Sequence, residues 1–255
     1  MRIVPIECKN SYSNLNYVIA NDETKECLCI DPYDAGQIGH VLVQNSYKLK
    51  AIINTHEHWD HTKGNNELQK MTGCEVWNAG GIENTDRVLK QDESMDFGDW
   101  KITFRHTPGH TMKHITLLIE EGGKPIAIFC GDTLFNAGVG NCHNGGHPEV
   151  LYETFASFFS DLPDTVMVYP GHDYVKNNIA FAKTREPGNQ DHDKILQKVE
   201  NAINMGEVCF LDMGEERQIN PFLRLDQKKI QENLPNPSAD PKDVFLQLRE
   251  LRNDW

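Results

Sequence analysis

Thr55-His56-Glu57-His58-Trp59-Asp60-His61 sets three imidazoles and the Asp60 carboxylate within six residues, directly after the apolar run Ala51-Ile52-Ile53. A tight turn at the end of a strand splays alternate side chains to opposite sides, so a single loop of this kind can feed two adjacent metal ions. Imidazole and carboxylate donors suit zinc, iron and manganese, and neutral histidine is the commonest nitrogen ligand. Structural zinc sites usually include cysteine, and this cluster has none. The pattern predicts a catalytic centre with room for water or substrate.

Three other β-like runs end in the same manner. Pro108-Gly109-His110-Thr111 follows the run 102–104, Gly131-Asp132-Thr133 follows 126–130, and Pro170-Gly171-His172-Asp173 follows 166–168. Each sets a ligand-type residue beside glycine, where the backbone must turn sharply. A lone histidine after a strand is more often structural. Four strand ends that together supply five histidines and two aspartates are not readily reached by chance.

The elements that must position these residues alternate along the first half. Strands are predicted at 3–6, 16–20, 27–30, 51–53, 101–104, 115–119, 126–130 and 166–169. Ile38, Val41 and Leu42 fall at helical spacing between two of them, which predicts a crossover helix. Val150, Leu151, Thr154, Phe155, Phe158 and Phe159 predict an amphipathic helix started by Pro148. Strands interspersed with helices, with chemistry at the strand ends, indicate a layered α/β fold. After Pro187-Gly188-Asn189 the texture becomes polar and helical, with Ile195, Leu196, Val199 and Ile203 at helical period and a last helix carrying Val244, Phe245, Leu248 and Leu251. This reading predicts two regions, 1–188 and 189–255.

Composition excludes several classes. The net charge of −13 over 255 residues argues against nucleic acid and anionic membrane as partners, since both reward basic surface. No apolar run approaches the roughly 18 residues of a membrane span. The N-terminal Met1-Arg2-Ile3-Val4-Pro5-Ile6-Glu7 reads as a first strand and not as a signal peptide, so a cytoplasmic location is expected. Seven cysteines without CxxC spacing read as buried hydrophobes and not as a disulfide framework. Cys142 stands apart, beside His143 in a glycine-rich loop, as a candidate redox-sensitive thiol. Glu57 and Trp59 are expected to support the ligand loop or pack beneath it.

The order THEHWDH, TPGHT, GDTLF, YPGHDY resembles the metallo-β-lactamase superfamily, and within it the glyoxalase II (hydroxyacylglutathione hydrolase) branch. The resemblance runs from the N-terminus to about Asn189 and continues more loosely into the C-terminal helices. It implies an αββα sandwich followed by a smaller helical region, and a binuclear site. By motif, His56, His58 and His110 would hold one divalent metal. Asp60, His61 and His172 would hold the other, and Asp132 would bridge them. Asp60 and Asp132 are thereby the carboxylates of the catalytic centre, flanking a hydroxide between the metals. Zinc is the first choice of metal, with iron or manganese as alternatives. Two dications sharing a carboxylate depress the pKa of bound water and polarise a carbonyl. The expected reaction is cleavage of an acyl-thioester, foremost S-D-lactoylglutathione, to glutathione and a 2-hydroxy acid.

Substrate contacts follow the family's pattern only in part. The family's glycine-lysine-x-tyrosine loop reads Gly140-Asn141-Cys142-His143 here, so Asn141 replaces the lysine and His143 the tyrosine. A fixed charge is lost, and a charge-assisted hydrogen bond is roughly twice as strong as a neutral one. Tyr174 matches the substrate tyrosine of YPGHDY, and Arg249 and Arg252 match a basic pair near the C-terminus. Those two arginines could equally lie on a solvated helix face. The rival from another class is a mononuclear iron persulfide dioxygenase of the same superfamily. A small-molecule thioester is the expected partner and a monomer the favoured state.

Overall fold

The apolar runs of the first half become strands of two sheets, and the chemistry falls where those strands end. The computed structural model describes residues 1–255. By contact the chain forms two units: Met1–Thr107 with Lys113–Gly131, and Pro108–Met112 with Asp132–Trp255.

The first unit runs β1 (Arg2–Glu7), β2 (Leu15–Ala20), β3 (Glu26–Ile30), α1 (Ala35–Asn45), β4 (Lys48–Ile53), α2 (Trp59–Thr62), α3 (Asn65–Thr72), β5 (Glu75–Asn78), β6 (Arg87–Val88), β7 (Glu93–Phe97), β8 (Trp100–His106), β9 (Ile115–Glu121) and β10 (Lys124–Gly131). Strands β1 to β6 form one sheet in sequence order. It is antiparallel through β3 and parallel from β3 to β6. Parallel neighbours need a crossover, and α1 and α3 supply two of them. Asp34 caps α1, its carboxylate accepting from Gln37 N at 3.0 Å, a bond of a type worth about 1 kcal/mol.

Every residue of β2 is buried, as expected of a strand covered on both faces. On one face Val18, Cys27, Cys29 and Ile52 share a core with Ile38 and Leu42 of α1 and Leu68 of α3. On the other, the Tyr17 ring meets Phe129 of β10 at 5.1 Å. Strand β10 belongs to a second sheet in which β7, β8, β9 and β10 pair antiparallel in sequence order. The first unit is therefore a helical layer on two face-to-face sheets.

The second unit contains β11 (Leu134–Phe135), β12 (Gly138–Val139), α4 (Pro148–Ser157), β13 (Met167–Pro170), α5 (Val175–Arg185), α6 (Asp191–Asn204), α7 (Met213–Ile219), α8 (Lys228–Glu232) and α9 (Pro241–Asn253). Helix α4 stops earlier than its apolar spacing suggests. Phe158 leaves helical geometry at φ −132°, and Phe159 opens a separate 3-10 turn. Val175 and Ile179 of α5 share a core with Ile195 and Val199 of α6. The change of texture near residue 188 thus falls inside one packed unit. Helix α9 buries Val244, Phe245, Leu248 and also Arg249. Phe245 lies against Tyr152, Phe155 and Phe222 at 5.2 to 5.6 Å between ring centroids. No helix is long and apolar enough to cross a membrane. All seven cysteines are free thiols.

Candidate metal centre

In the first unit the ligand loop leaves β4 at Asn54. That buried side chain donates to His61 O at 2.7 Å and to Asn65 Oδ1 at 3.2 Å, tying the loop to the start of α3. The His56 ring has Nδ1 3.0 Å from Thr55 Oγ1, and its Nε2 lies 3.1 Å from His58 Nδ1. The His61 ring has Nδ1 3.0 Å from Asp31 Oδ2, and its Nε2 lies 3.7 Å from Asp60 Oδ2. One loop thus presents two separate donor pairs, His56 with His58 and Asp60 with His61. Clustered lone pairs of this kind are the natural environment of a divalent cation.

Residues outside the loop hold these rings in place. The Asp31 carboxylate also accepts from Thr55 N at 2.7 Å and from Thr55 Oγ1 at 2.6 Å. It stands just past β3 with φ +50°, a left-handed backbone that aspartate tolerates better than most residues. Asn14 donates to Asp60 Oδ2 at 3.1 Å. His114, fully buried, stacks on His56 at 5.0 Å and meets Thr107 Oγ1 at 3.0 Å. Carboxylates and carbonyls that orient a ligating imidazole fix which nitrogen faces the metal. The sequence reading missed Asp31, Asn14 and His114. Asp31 carried a signal, because it too is an acidic residue directly after a strand.

Trp59 corrects an expectation. It does not pack beneath the loop but is 58% exposed, edge-on to Tyr12 and Tyr33.

In the second unit His110 sits in a tight turn closed by Gly109 N donating to Thr111 O at 2.9 Å. Its Nδ1 lies 2.6 Å from the Asn141 carbonyl. That carbonyl can only accept, so Nδ1 carries the proton and Nε2 keeps its lone pair. Nε2 of His110 and Nε2 of His172 lie 3.5 and 3.2 Å from the same oxygen, Asp132 Oδ2. One carboxylate oxygen between two imidazoles has the form of a shared ligand. A Cβ on Gly140 would strike the Asp132 carbonyl and approach His110 Nδ1 to 2.9 Å, so only glycine allows this close approach.

The five expected substrate residues, Asn141, His143, Tyr174, Arg249 and Arg252, line one cleft of about 220 Å³ in the second unit, together with Phe135, Val139 and Asn253. Tyr174 stacks on the His172 ring at 4.9 Å with 5° between planes. Arg249 is not on a solvated face. It is 4% exposed, donates to the carbonyls of Val139 and Gly140 at 3.0 and 3.1 Å, and is pulled by burial down to about 10, so it stays charged at neutral pH. Arg252 donates to Asn178 Oδ1 at 3.1 Å, and burial lowers its pKa too. Asn141 uses its own Oδ1 to accept from His143 N at 3.1 Å. Cys142 is pushed up to about 11, chiefly by burial. That shift disfavours the thiolate, which argues against a redox-sensitive role.

Residues 17–85 match the family described as the metallo-beta-lactamase superfamily, and residues 173–255 match the hydroxyacylglutathione hydrolase C-terminus. A hydroxyacylglutathione hydrolase of Nitrosococcus oceani is 40% identical over 268 residues, spanning the whole of both chains. The cytoplasmic hydroxyacylglutathione hydrolase of Arabidopsis thaliana is 32% identical over 265 residues, covering 100% of this chain and 99% of its own. Among solved structures, ETHE1 from Myxococcus xanthus matches with a TM-score of 0.68 at 22% identity, over 97% of this chain and all of that one; at that identity the likeness concerns the fold alone. On whole-length identity to such relatives, the chain belongs to the hydroxyacylglutathione hydrolase family of the metallo-beta-lactamase superfamily.

Proposed function

We propose that this protein is a binuclear metal-dependent thioester hydrolase whose substrate is an S-(2-hydroxyacyl)glutathione, foremost S-D-lactoylglutathione. The observation that carries the reading is the pair of donor pairs on one loop, His56 with His58 and Asp60 with His61. We assign His56, His58 and His110 to one divalent ion, Asp60, His61 and His172 to the other, and Asp132 to both. Zinc fits the nitrogen-rich donor set, and iron and manganese fit it as well. When bound, such ions lower the pKa of water and polarise a carbonyl oxygen.

The chain's own residues do the rest. Asp31, Thr55 and the Asn141 carbonyl fix the rings of His61, His56 and His110, so the donor atoms are set before substrate arrives. Tyr174 and Arg252 are assigned to the thiol carrier, with Asn141 and His143 in place of the family's lysine and tyrosine; Arg249, expected as a substrate contact, directs its guanidinium to the Val139 and Gly140 carbonyls and is assigned to holding the cleft wall. A thiolate leaves without obligatory protonation, so no general acid is assigned. No nucleophilic serine is needed, and no acyl-enzyme is proposed. Region 189–255 is read as the substrate-binding part of the chain, and the protein as a cytoplasmic monomer.

The test is thiol release from S-D-lactoylglutathione beside a short lactoyl thioester lacking the glutathione peptide, with metal counted per chain. Preference for the glutathione ester by orders of magnitude in kcat/KM, with two metals, is the expected result. Equal cleavage of both would keep the metal chemistry and discard the carrier. One iron per chain with oxygen consumption and no thiol release would replace the hydrolase by the persulfide dioxygenase.

A further inference from the structure

The short hairpin β11–β12 turns through Asn136 and Ala137, and Ala137 has φ +60°. A left-handed alanine costs of the order of 1 kcal/mol and persists only where its surroundings hold it. Here the turn is gripped at four points. Glu216, on α7 and wholly buried, accepts from Ala137 N at 2.9 and 3.1 Å and from Asn136 Nδ2 at 3.0 Å. Asn178, on α5, donates to Asn136 O at 2.9 Å. Asn220 donates to Gly138 O at 3.2 Å and to Glu216 Oε2 at 2.8 Å.

The residues on either side of this turn are Phe135 and Val139, both of which line the cleft. The same Asn178 that holds Asn136 accepts from Arg252 with its Oδ1. The Val139 carbonyl is held in turn by Arg249. A buried polar network therefore runs from Glu216 through the turn to one cleft wall and to one of its two guanidinium groups. Leaving a member of such a network unsatisfied is costly.

We infer that Glu216 is a positioning residue for the substrate cleft: its carboxylate holds the Asn136-Ala137 turn in a conformation that alanine resists, and so fixes Phe135, Val139 and Arg252 in place. Glu216 touches no substrate in this assignment. The inference rests on the proposed hydrolase only for its kinetic readout.

The experiment compares, at pH 8 where Glu216 is ionised, the metal-loaded wild type, Glu216→Gln and the double variant Glu216→Gln/Ala137→Gly. The amide keeps the size but offers one acceptor oxygen in place of two. Expected for Glu216→Gln are unchanged metal content, kcat within about twofold, and a KM for the glutathione thioester raised about tenfold, the size of one lost hydrogen bond to a charged group. The short lactoyl thioester should be cleaved as by the wild type. Amide exchange in the peptide spanning 133–141 should accelerate about tenfold or more, with remote peptides unmoved. Glycine accepts φ +60° freely, so the double variant should recover most of the KM, and it also provides a folded protein if the single variant does not fold. Wild-type KM together with wild-type exchange at 133–141 would overturn the inference, as would a lowered melting temperature with KM unchanged. If the wild type cleaves no thioester, the hydrolase reading falls while exchange at 133–141 still decides the role of Glu216.

Discussion

Oδ2 of Asp31 lies 3.0 Å from Nδ1 of His61, with both side chains all but sealed from solvent. An ionised carboxylate can only accept, so it keeps the proton on Nδ1 and leaves Nε2 free to ligate. Asp31→Asn keeps the shape but lets the amide donate, which favours the opposite tautomer. The expected outcome is a loss of about 10- to 100-fold in metal affinity or activity, read by zinc competition against a chelator of known strength. An Asp31→Asn variant that binds both metals as tightly as the wild type would show the contact to be incidental.

The two arginines of α9 should separate cleanly. Arg249 is buried against two carbonyls, so Arg249→Ala should cost stability, about 2 kcal/mol or more, as unpaired buried acceptors do. Arg252 is the less enclosed of the two. Arg252→Ala should raise KM for the glutathione ester about tenfold, equivalent to about 1.4 kcal/mol, and leave the short thioester alone. Melting curves and paired kinetics check both, and a reversal of the two phenotypes would contradict the assignment.

Stability should depend on pH through Glu216. Burial raises its carboxyl from 4.5 to about 7, with the neighbouring Glu215 charge adding to the effect. Between those values the folded chain holds a proton that the unfolded chain has shed. This contribution to stability is therefore complete below about pH 4.5 and is lost as pH rises through 7. The full effect is of the order of 3 kcal/mol. Urea unfolding of metal-stripped wild type and Glu216→Gln across pH 4.5–8 should show the variant gaining relative stability up to about pH 7 and levelling above it. Parallel curves would mean that Glu216 ionises at its ordinary value.

Cys142 should be slow to react. Raised from 9.0 to about 11 by burial, it carries about a hundredfold less thiolate at neutral pH than an unperturbed thiol, and the thiolate is the nucleophile. Iodoacetamide labelling followed by mass spectrometry should find Cys142 modified correspondingly slowly. Rapid labelling at pH 7.5 would restore the reactive-thiol reading.

Much of this was legible along the chain because the chemistry sits at strand ends. Apolar runs fixed β3, β4, β8 and β10, and the glycine beside each of His110, Asp132 and His172 marked where the backbone turns. The crossover helix α1 followed from Ile38 and Leu42, both buried as expected. Strands β5, β6 and β7 escaped because they are short and largely polar. Helix α5 escaped because it buries Asn178 among its apolar residues, which blurs the stripe. Asp31 and Glu216 act through partners 24 to 80 positions away. In the sequence the first reads as a turn before proline and the second as part of a solvated Glu-Glu-Arg run. Trp59 was misplaced because ligand spacing says nothing about which neighbours face outward.

The five residues Pro108–Met112, which carry His110, belong by contact to a unit otherwise composed of residues after 131. During synthesis the partners of His110 in its own unit emerge after Gly131: Asp132 and Asn141 first, then His172, which shares Asp132 Oδ2 with it. The ligand set therefore cannot close until the chain has been made as far as His172. For the same reason no single cleavage divides the protein into its two units, and any attempt to express one alone inherits a gap or a foreign loop at 108–112.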